Sequence, residues 1–328
     1  MPTMQTQDAE KSSISAQPAV ASYLTRRYER DVRPRLEAVF PKTLATEALF
    51  YILEAGKNRF RGVLPLIVAE LTGFDYDKSL TIGSVAEIAW TGIIIHDDII
   101  DHDVLRRGRT CAHIKFTINS ALCAGQLALT QGTIILGNNS LKGEIAAYCE
   151  AVSKTYQGQV SHQRITKTST EAELYSIYRL KTSLGVWAIT AAAPDAYKSC
   201  LTHFCTILGE AGQIKDDLDD LFIDSPDEVI MRDLRQGIYS SPWILFYQRA
   251  TRNDAAFVDA YFGNQGTVAP RADILRKLCS YGVIDTLIEQ SQQRISDALH
   301  LLTALPDADG RVILGEWAES HSVRHYKQ

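Results

Sequence analysis

Residues His96–His113 read "HDDIIDHDVLRRGRTCAH", with four aspartates between Asp97 and Asp103 and paired arginines, Arg106 and Arg107, directly after. On a helix, Asp97 and Asp101 share a face and Asp98 borders it, so three carboxylates are expected to converge at the end of the apolar run "TGIIIH". A second copy lies in "GQIKDDLDDLF", where Asp216, Asp217 and Asp220 repeat the spacing and Asp219 should point elsewhere. Carboxylates gathered this way repel one another unless a cation sits among them. Oxygen ligands of this kind suit Mg2+, which takes one or two carboxylates, keeps several waters and completes its shell with substrate phosphates. The bland alternative is a pair of solvated helix ends. It does not explain why both runs abut strongly apolar segments, "TGIIIH" and "CTILGEAGQI".

The elements that must position these residues are helical. "YLTRRYERDVRPRLEAVF" is amphipathic, with a kink or early break expected at Pro34. "ALFYILEAGKNRFRGVLPLIVAELTGF" divides into two helices at Gly56, and "SVAEIAWTGIIIHDDIID" is apolar nearly all round, which predicts a buried central helix. Further helical runs cover 114–136, 142–163, 171–190, 199–223, 234–250 and 271–304, and turn signals such as "GNNS", "IDSPDE" and "PDADG" fall between them. Alternating β-branched runs are absent, so the fold class is all-α, with a disordered polar tail over 1–20 and one helical domain over 21–328.

Composition excludes several functions. A net charge of −5 with no Lys/Arg stripe gives no footprint for nucleic acid. Six scattered cysteines without a C-x-x-C pair fit a reducing, intracellular setting. The N-terminus has neither signal-peptide nor transit-peptide character, and no run of 18 uninterrupted apolar residues predicts a membrane span. Cytoplasmic localisation follows as the expectation.

"DDIIDHDVLRRGR" followed by "GQIKDDLDD" resembles the trans-isoprenyl diphosphate synthase (polyprenyl synthetase) family. "AGKNRFRG", "RLKTSLG" and "DLRQGIYSSP" stand before, between and after the two runs in the family's order. The resemblance covers most of 22–325 and implies a single large helical bundle with a central cavity. It also implies a Mg2+-dependent ionisation of an allylic prenyl diphosphate, with three ions per site held by Asp97, Asp98, Asp101, Asp216, Asp217 and Asp220. Arg106 and Lys181 would contact that diphosphate. Lys57, Arg61 and Arg107, with Arg59 nearby, would bind isopentenyl diphosphate, and Gln213 is carried over as a further substrate contact. The other reading of Arg106 and Arg107 is a cation pair at a helix C-terminus, offsetting the macrodipole. The family is generally homodimeric, and the apolar, small-residue stretch "SALCAGQLALTQGTIIL" is the expected interface.

Three departures from the family pattern bear on function. "GKNRFRG" has one residue more than the usual G-K-x-x-R spacing, Trp90 stands where His or Gln is usual, and Ile238 stands where Lys is often found. An indole offers one donor and no charge, so Trp90 is core packing, a weakened isopentenyl diphosphate contact, or a π-face lining a carbocation cavity. Gly92 and Ala89, five and eight residues before Asp97, are expected to leave a deep pocket that blocks no product longer than farnesyl. An elongating prenyltransferase, a class I terpene synthase on the same scaffold and a non-catalytic partner subunit all remain open. Two complete aspartate runs argue against the last.

Overall fold

The computed structural model describes residues 20–55, 60–106, 108–222, 231–264, 266 and 268–326. The tail over 1–19 and Lys57, Arg59 and Arg107 lie outside the described residues. Residues 20–27 are helical and pass through a π-turn, Tyr28–Val32, into α1 (Arg33–Val39). The turn widens just ahead of Pro34, which has no N–H to offer a regular ladder, so of the kink or early break expected there the chain shows a local irregularity and stays helical. There follow α2 (Glu47–Glu54), α3 (Phe60–Thr72), α4 (Tyr76–Ile100), α5 (Ala112–Lys115), α6 (Ile118–Asn138), α7 (Glu144–His162), α8 (Glu171–Lys181) and α9 (Ser183–Ala191). Then come α10 (Asp195–Phe222), α11 (Arg232–Gln236), α12 (Ser241–Arg249), α13 (Arg252–Asp259), α14 (Arg271–Ser280), α15 (Val283–Leu301) and α16 (Asp309–Glu319).

The all-α class holds, with one addition: a two-residue antiparallel ladder pairs Leu105 with Thr110 and Arg106 with Arg109. Arg106 therefore lies in a strand and not in the last turn of a helix. Several helix starts are locally encoded. Asp75 accepts from the Lys78 N–H at the start of α4, Thr117 accepts from Ser120 at α6, and Thr170 with Glu173 forms a capping box at α8.

The chain packs as two compact units: 1–150 with 184–202 and 301–320, and 151–183 with 203–300 and 321–328. In the first, α4 is the central helix, with Ile82, Val85, Ile88, Ala89 and Ile95 wholly enclosed. In the second, Trp243, Phe246, Tyr178, Ile214 and Leu218 share one apolar core.

By length and composition, α4 and α6 could each cross a bilayer. Most of α4's apolar stretch is buried inside the fold, 72%, against 39% for α6, so α4 is a core helix and α6 keeps an apolar face outward.

Candidate active site

The first aspartate run ends α4. The Asp103 N–H bonds back to the Asp98 carbonyl at 2.9 Å and the His102 N–H to Ile99 at 3.4 Å, with His102 at φ 54°. This is a Schellman turn with His in the left-handed position that glycine usually fills. The turn and the hairpin after it bring Arg106 back over the helix end. Its Nε donates to Asp98 Oδ1 at 2.6 Å and its Nη2 to Asp103 Oδ2 at 2.8 Å, with Asp97 Oδ2 3.7 Å away.

The three carboxylates of this run divide by exposure. Asp98 is wholly buried, its Oδ1 taken by Arg106 and its Oδ2 without a hydrogen-bond partner, while Asp97 and Asp101 remain partly exposed. The physical reason is the register: Asp98 falls on the inward side of the stripe and needs an internal cation. Burial still holds its carboxyl above the ordinary value despite the Arg106 charge beside it.

The second run, on α10, divides in the same way. Asp216 is exposed and Gln213 Nε2 reaches its Oδ2 at 3.4 Å. Asp217 is buried, and its Oδ2 accepts from the Tyr178 hydroxyl at 2.5 Å and from the Ser241 hydroxyl and N–H at 2.6 and 2.9 Å. Asp220 caps α11, taking the Arg232 and Asp233 N–H groups at 2.9 and 3.1 Å. "DLRQGIYSSP" thus docks onto the run it follows. Asp219 points elsewhere, toward Lys215 and Tyr326.

Burial first, and the charge of Asp233 second, push the carboxyls of Asp217 and Asp220 well above the usual range. Among the described residues no three His, Cys, Asp or Glu groups form a complete metal cage. Each run by itself nevertheless offers oxygen donors of the kind Mg2+ takes: in the first unit Asp97, Asp98 and Asp103 face the Arg106 guanidinium, and in the second Asp216, Asp217 and Asp220 follow one another on α10.

Lys181 ends α8, three residues after Tyr178, so the bond from Tyr178 to Asp217 ties its helix to the second run. Arg179 adds a second tie, Nε to Glu210 Oε1 on α10 at 2.5 Å. His162, which sequence reasoning missed, stands edge-on to the Tyr178 ring at 5.9 Å. Desolvation, then the Lys181 charge, keep its imidazole neutral down to about pH 3. Tyr178, Ser241 and Asp233 were missed as well. The signal for the last two was their place in a landmark segment already quoted.

In the first unit, the Arg61 guanidinium lies 4.3 Å from the centre of the Trp90 ring and 4.6 Å from that of Phe60. Gly92 does not line a pocket. A Cβ there would meet the Gly125 carbonyl at 2.8 Å and the Ala128 Cβ at 2.9 Å, so α6 fills the space that the missing side chain was expected to leave.

The sequence model of the polyprenyl synthetase family matches residues 42–297. The chain belongs to that family. As a polyprenyl synthetase it is a prenyltransferase, and both aspartate runs fall within the matched span. It is 24% identical over 293 residues to a geranylgeranyl diphosphate synthase of Methanosarcina mazei, covering 84% of this chain and 88% of that one. An octaprenyl diphosphate synthase of Haemophilus influenzae is 21% identical over 287 residues, covering 84% and 87%. The crystal structure of a Caulobacter crescentus polyprenyl synthase, solved with calcium and isoprenyl diphosphate, superposes with a TM-score of 0.82 at 22% identity, covering 92% of this polyprenyl synthetase and 97% of that chain.

Proposed function

We propose that this polyprenyl synthetase is a Mg2+-dependent elongating enzyme. It would ionise an allylic prenyl diphosphate and condense it with isopentenyl diphosphate to a trans-prenyl diphosphate of farnesyl, geranylgeranyl or greater length. The observation that carries this reading lies on one helix. Trp90, against which the Arg61 cation rests, and Asp97 are seven residues apart on α4, about 10 Å along its axis. A cyclising enzyme needs one diphosphate anchor, whereas an elongating enzyme needs two, one for each substrate.

In this reading Asp97, Asp101 and Asp216 are the direct Mg2+ ligands, and Asp217 and Asp220 contribute through whatever oxygen capacity their caps leave. Bound Mg2+ would supply the positive charge that offsets the negative charge growing on the departing diphosphate. Asp98 and Asp103 hold Arg106 beside that group, and Gln213 orients Asp216. Lys181 adds a cation from the end of a helix fixed to the second run. Arg61 binds isopentenyl diphosphate, together with Lys57 and Arg107 on the strength of the resemblance.

Three ions per site, one catalytic domain over 21–328 and a homodimer in a reducing cytoplasm complete the proposal. The six cysteines form no disulfide among the described residues. On α6, Ile118, Leu122, Leu127 and Ile134 are exposed along an apolar helix, which favours a protein partner there.

The test is turnover of geranyl, farnesyl or geranylgeranyl diphosphate with Mg2+, each with and without isopentenyl diphosphate. Elongation predicts diphosphate release that requires isopentenyl diphosphate. Release without it, accompanied by a hydrocarbon or terpene alcohol, would instead establish a terpene synthase.

A further inference from the structure

Arg61 is held at several points. The Gly62 N–H, in the first turn of α3, donates to the buried Glu87 carboxylate at 3.0 Å. This satisfies a helix-end donor and places negative charge at the positive end of the helix dipole. A Cβ on Gly83 would lie 2.2 Å from the Gly62 carbonyl, so α3 and α4 meet backbone to backbone at this point. On the other side of Arg61, the Phe60 ring packs 5.5 Å from Trp317 of α16. With both neighbours pinned, the guanidinium leans on the Trp90 ring, one helical turn beyond Glu87.

We propose that Trp90 is a positioning residue for isopentenyl diphosphate binding: its indole face fixes the Arg61 guanidinium for the diphosphate, and it neither touches the substrate nor lines a carbocation cavity. This deepens the elongation reading and rests on it. A guanidinium seated over a ring is held through its cationic centre, and the fork of N–H donors it carries is the geometry that suits a phosphate. A ring face already covered by one cation is not open to another. The same stacking also accounts for a cationic anchor at a position whose own side chain carries no charge.

The test compares wild type, Trp90→Phe, Trp90→Leu, Arg61→Gln and the Trp90→Leu/Arg61→Gln pair for KM of both substrates, kcat and Tm. Trp90→Leu should raise the isopentenyl diphosphate KM about ten-fold while kcat and the allylic KM move less than about two-fold. Trp90→Phe, which keeps a π-face, should recover most of that loss. The double variant should be no worse than Arg61→Gln, because the two residues act as one unit. Multiplying effects in the double variant, an unchanged isopentenyl KM, or a Phe variant as poor as Leu would each overturn the proposal. If wild type consumes no isopentenyl diphosphate, the elongation reading fails on its own. The stacking is then judged from calorimetric binding of isopentenyl diphosphate in EDTA: affinity in the order wild type, Phe, Leu supports it, and an equal affinity or no binding across the series overturns it.

Discussion

Arg106 Nε donates to Asp98 Oδ1 at 2.6 Å, across the turn that ends α4, and Asp98 is wholly buried. The second aspartate of the first run therefore serves to hold a cation of the protein itself. Breaking a buried pair leaves an uncompensated charge, and Arg106→Ala should lose about 3 kcal/mol of stability near pH 8. The loss should shrink as pH falls and Asp98 takes up a proton. Urea unfolding at several pH values checks this, and a pH-independent loss would contradict it.

Asp97 and Asp216 should behave differently from Asp98. Both are at least partly exposed, so Asp97→Ala and Asp216→Ala should lower kcat by about 10²–10³-fold with Tm unchanged or slightly raised, because one repelling charge is gone. Steady-state kinetics and calorimetry on the same preparations separate activity from folding. An unfolded variant, or one with wild-type turnover, would end the metal-ligand assignment.

Asp217 and Asp220 are pushed up to about 7 and about 8 by burial and by Asp233, against about 4 in an unfolded chain. A carboxyl with a raised folded-state value prefers to stay protonated in the fold. Its contribution to stability is therefore lost progressively as pH rises from about 4 to about 8. The metal-free protein should show this slope in Tm, Asp233→Asn should flatten it, and Mg2+ with pyrophosphate should remove it. A Tm that rises over the same window in wild type but not in Asp233→Asn would reverse the sign of the account.

Gly92→Phe should separate α4 from α6 rather than shorten the product. Overpacking of this kind costs about 1–3 kcal/mol, since a backbone carbonyl and Ala128 stand where the new side chain must begin. Product chromatography with thermal melts decides it. A shorter product at unchanged Tm would restore the pocket reading.

The exposed apolar residues of α6 predict a self-associating surface. Leu122→Glu with Ile134→Glu should convert a particle of twice 36.5 kDa to one of 36.5 kDa by light scattering. A wild-type mass of 36.5 kDa at micromolar concentration would contradict the dimer.

The helical class and both aspartate runs were legible because apolar periodicity and carboxylate spacing are local properties of the chain. Several features depend on close tertiary approach and were not legible. α8 and α9 read as one run over 171–190 yet part at Thr182, and α13 and α16, short helices of 8 and 11 residues, were not read from the sequence. His102 in the left-handed conformation gives no glycine signal for the turn that folds Arg106 back. Gly92 looked like room for product because sequence shows a small side chain but not the α6 backbone opposite it. The partners of Trp90 were equally hidden, since Arg61 lies 29 positions away on another helix.

The most direct measurement is pyrophosphate release from geranylgeranyl, farnesyl or geranyl diphosphate by the full chain, with Mg2+ or EDTA and with or without isopentenyl diphosphate. The account predicts release only when Mg2+ and isopentenyl diphosphate are both present, with a longer prenyl diphosphate as product. Mg2+-independent release, or release accompanied by hydrocarbon in the absence of isopentenyl diphosphate, would contradict it.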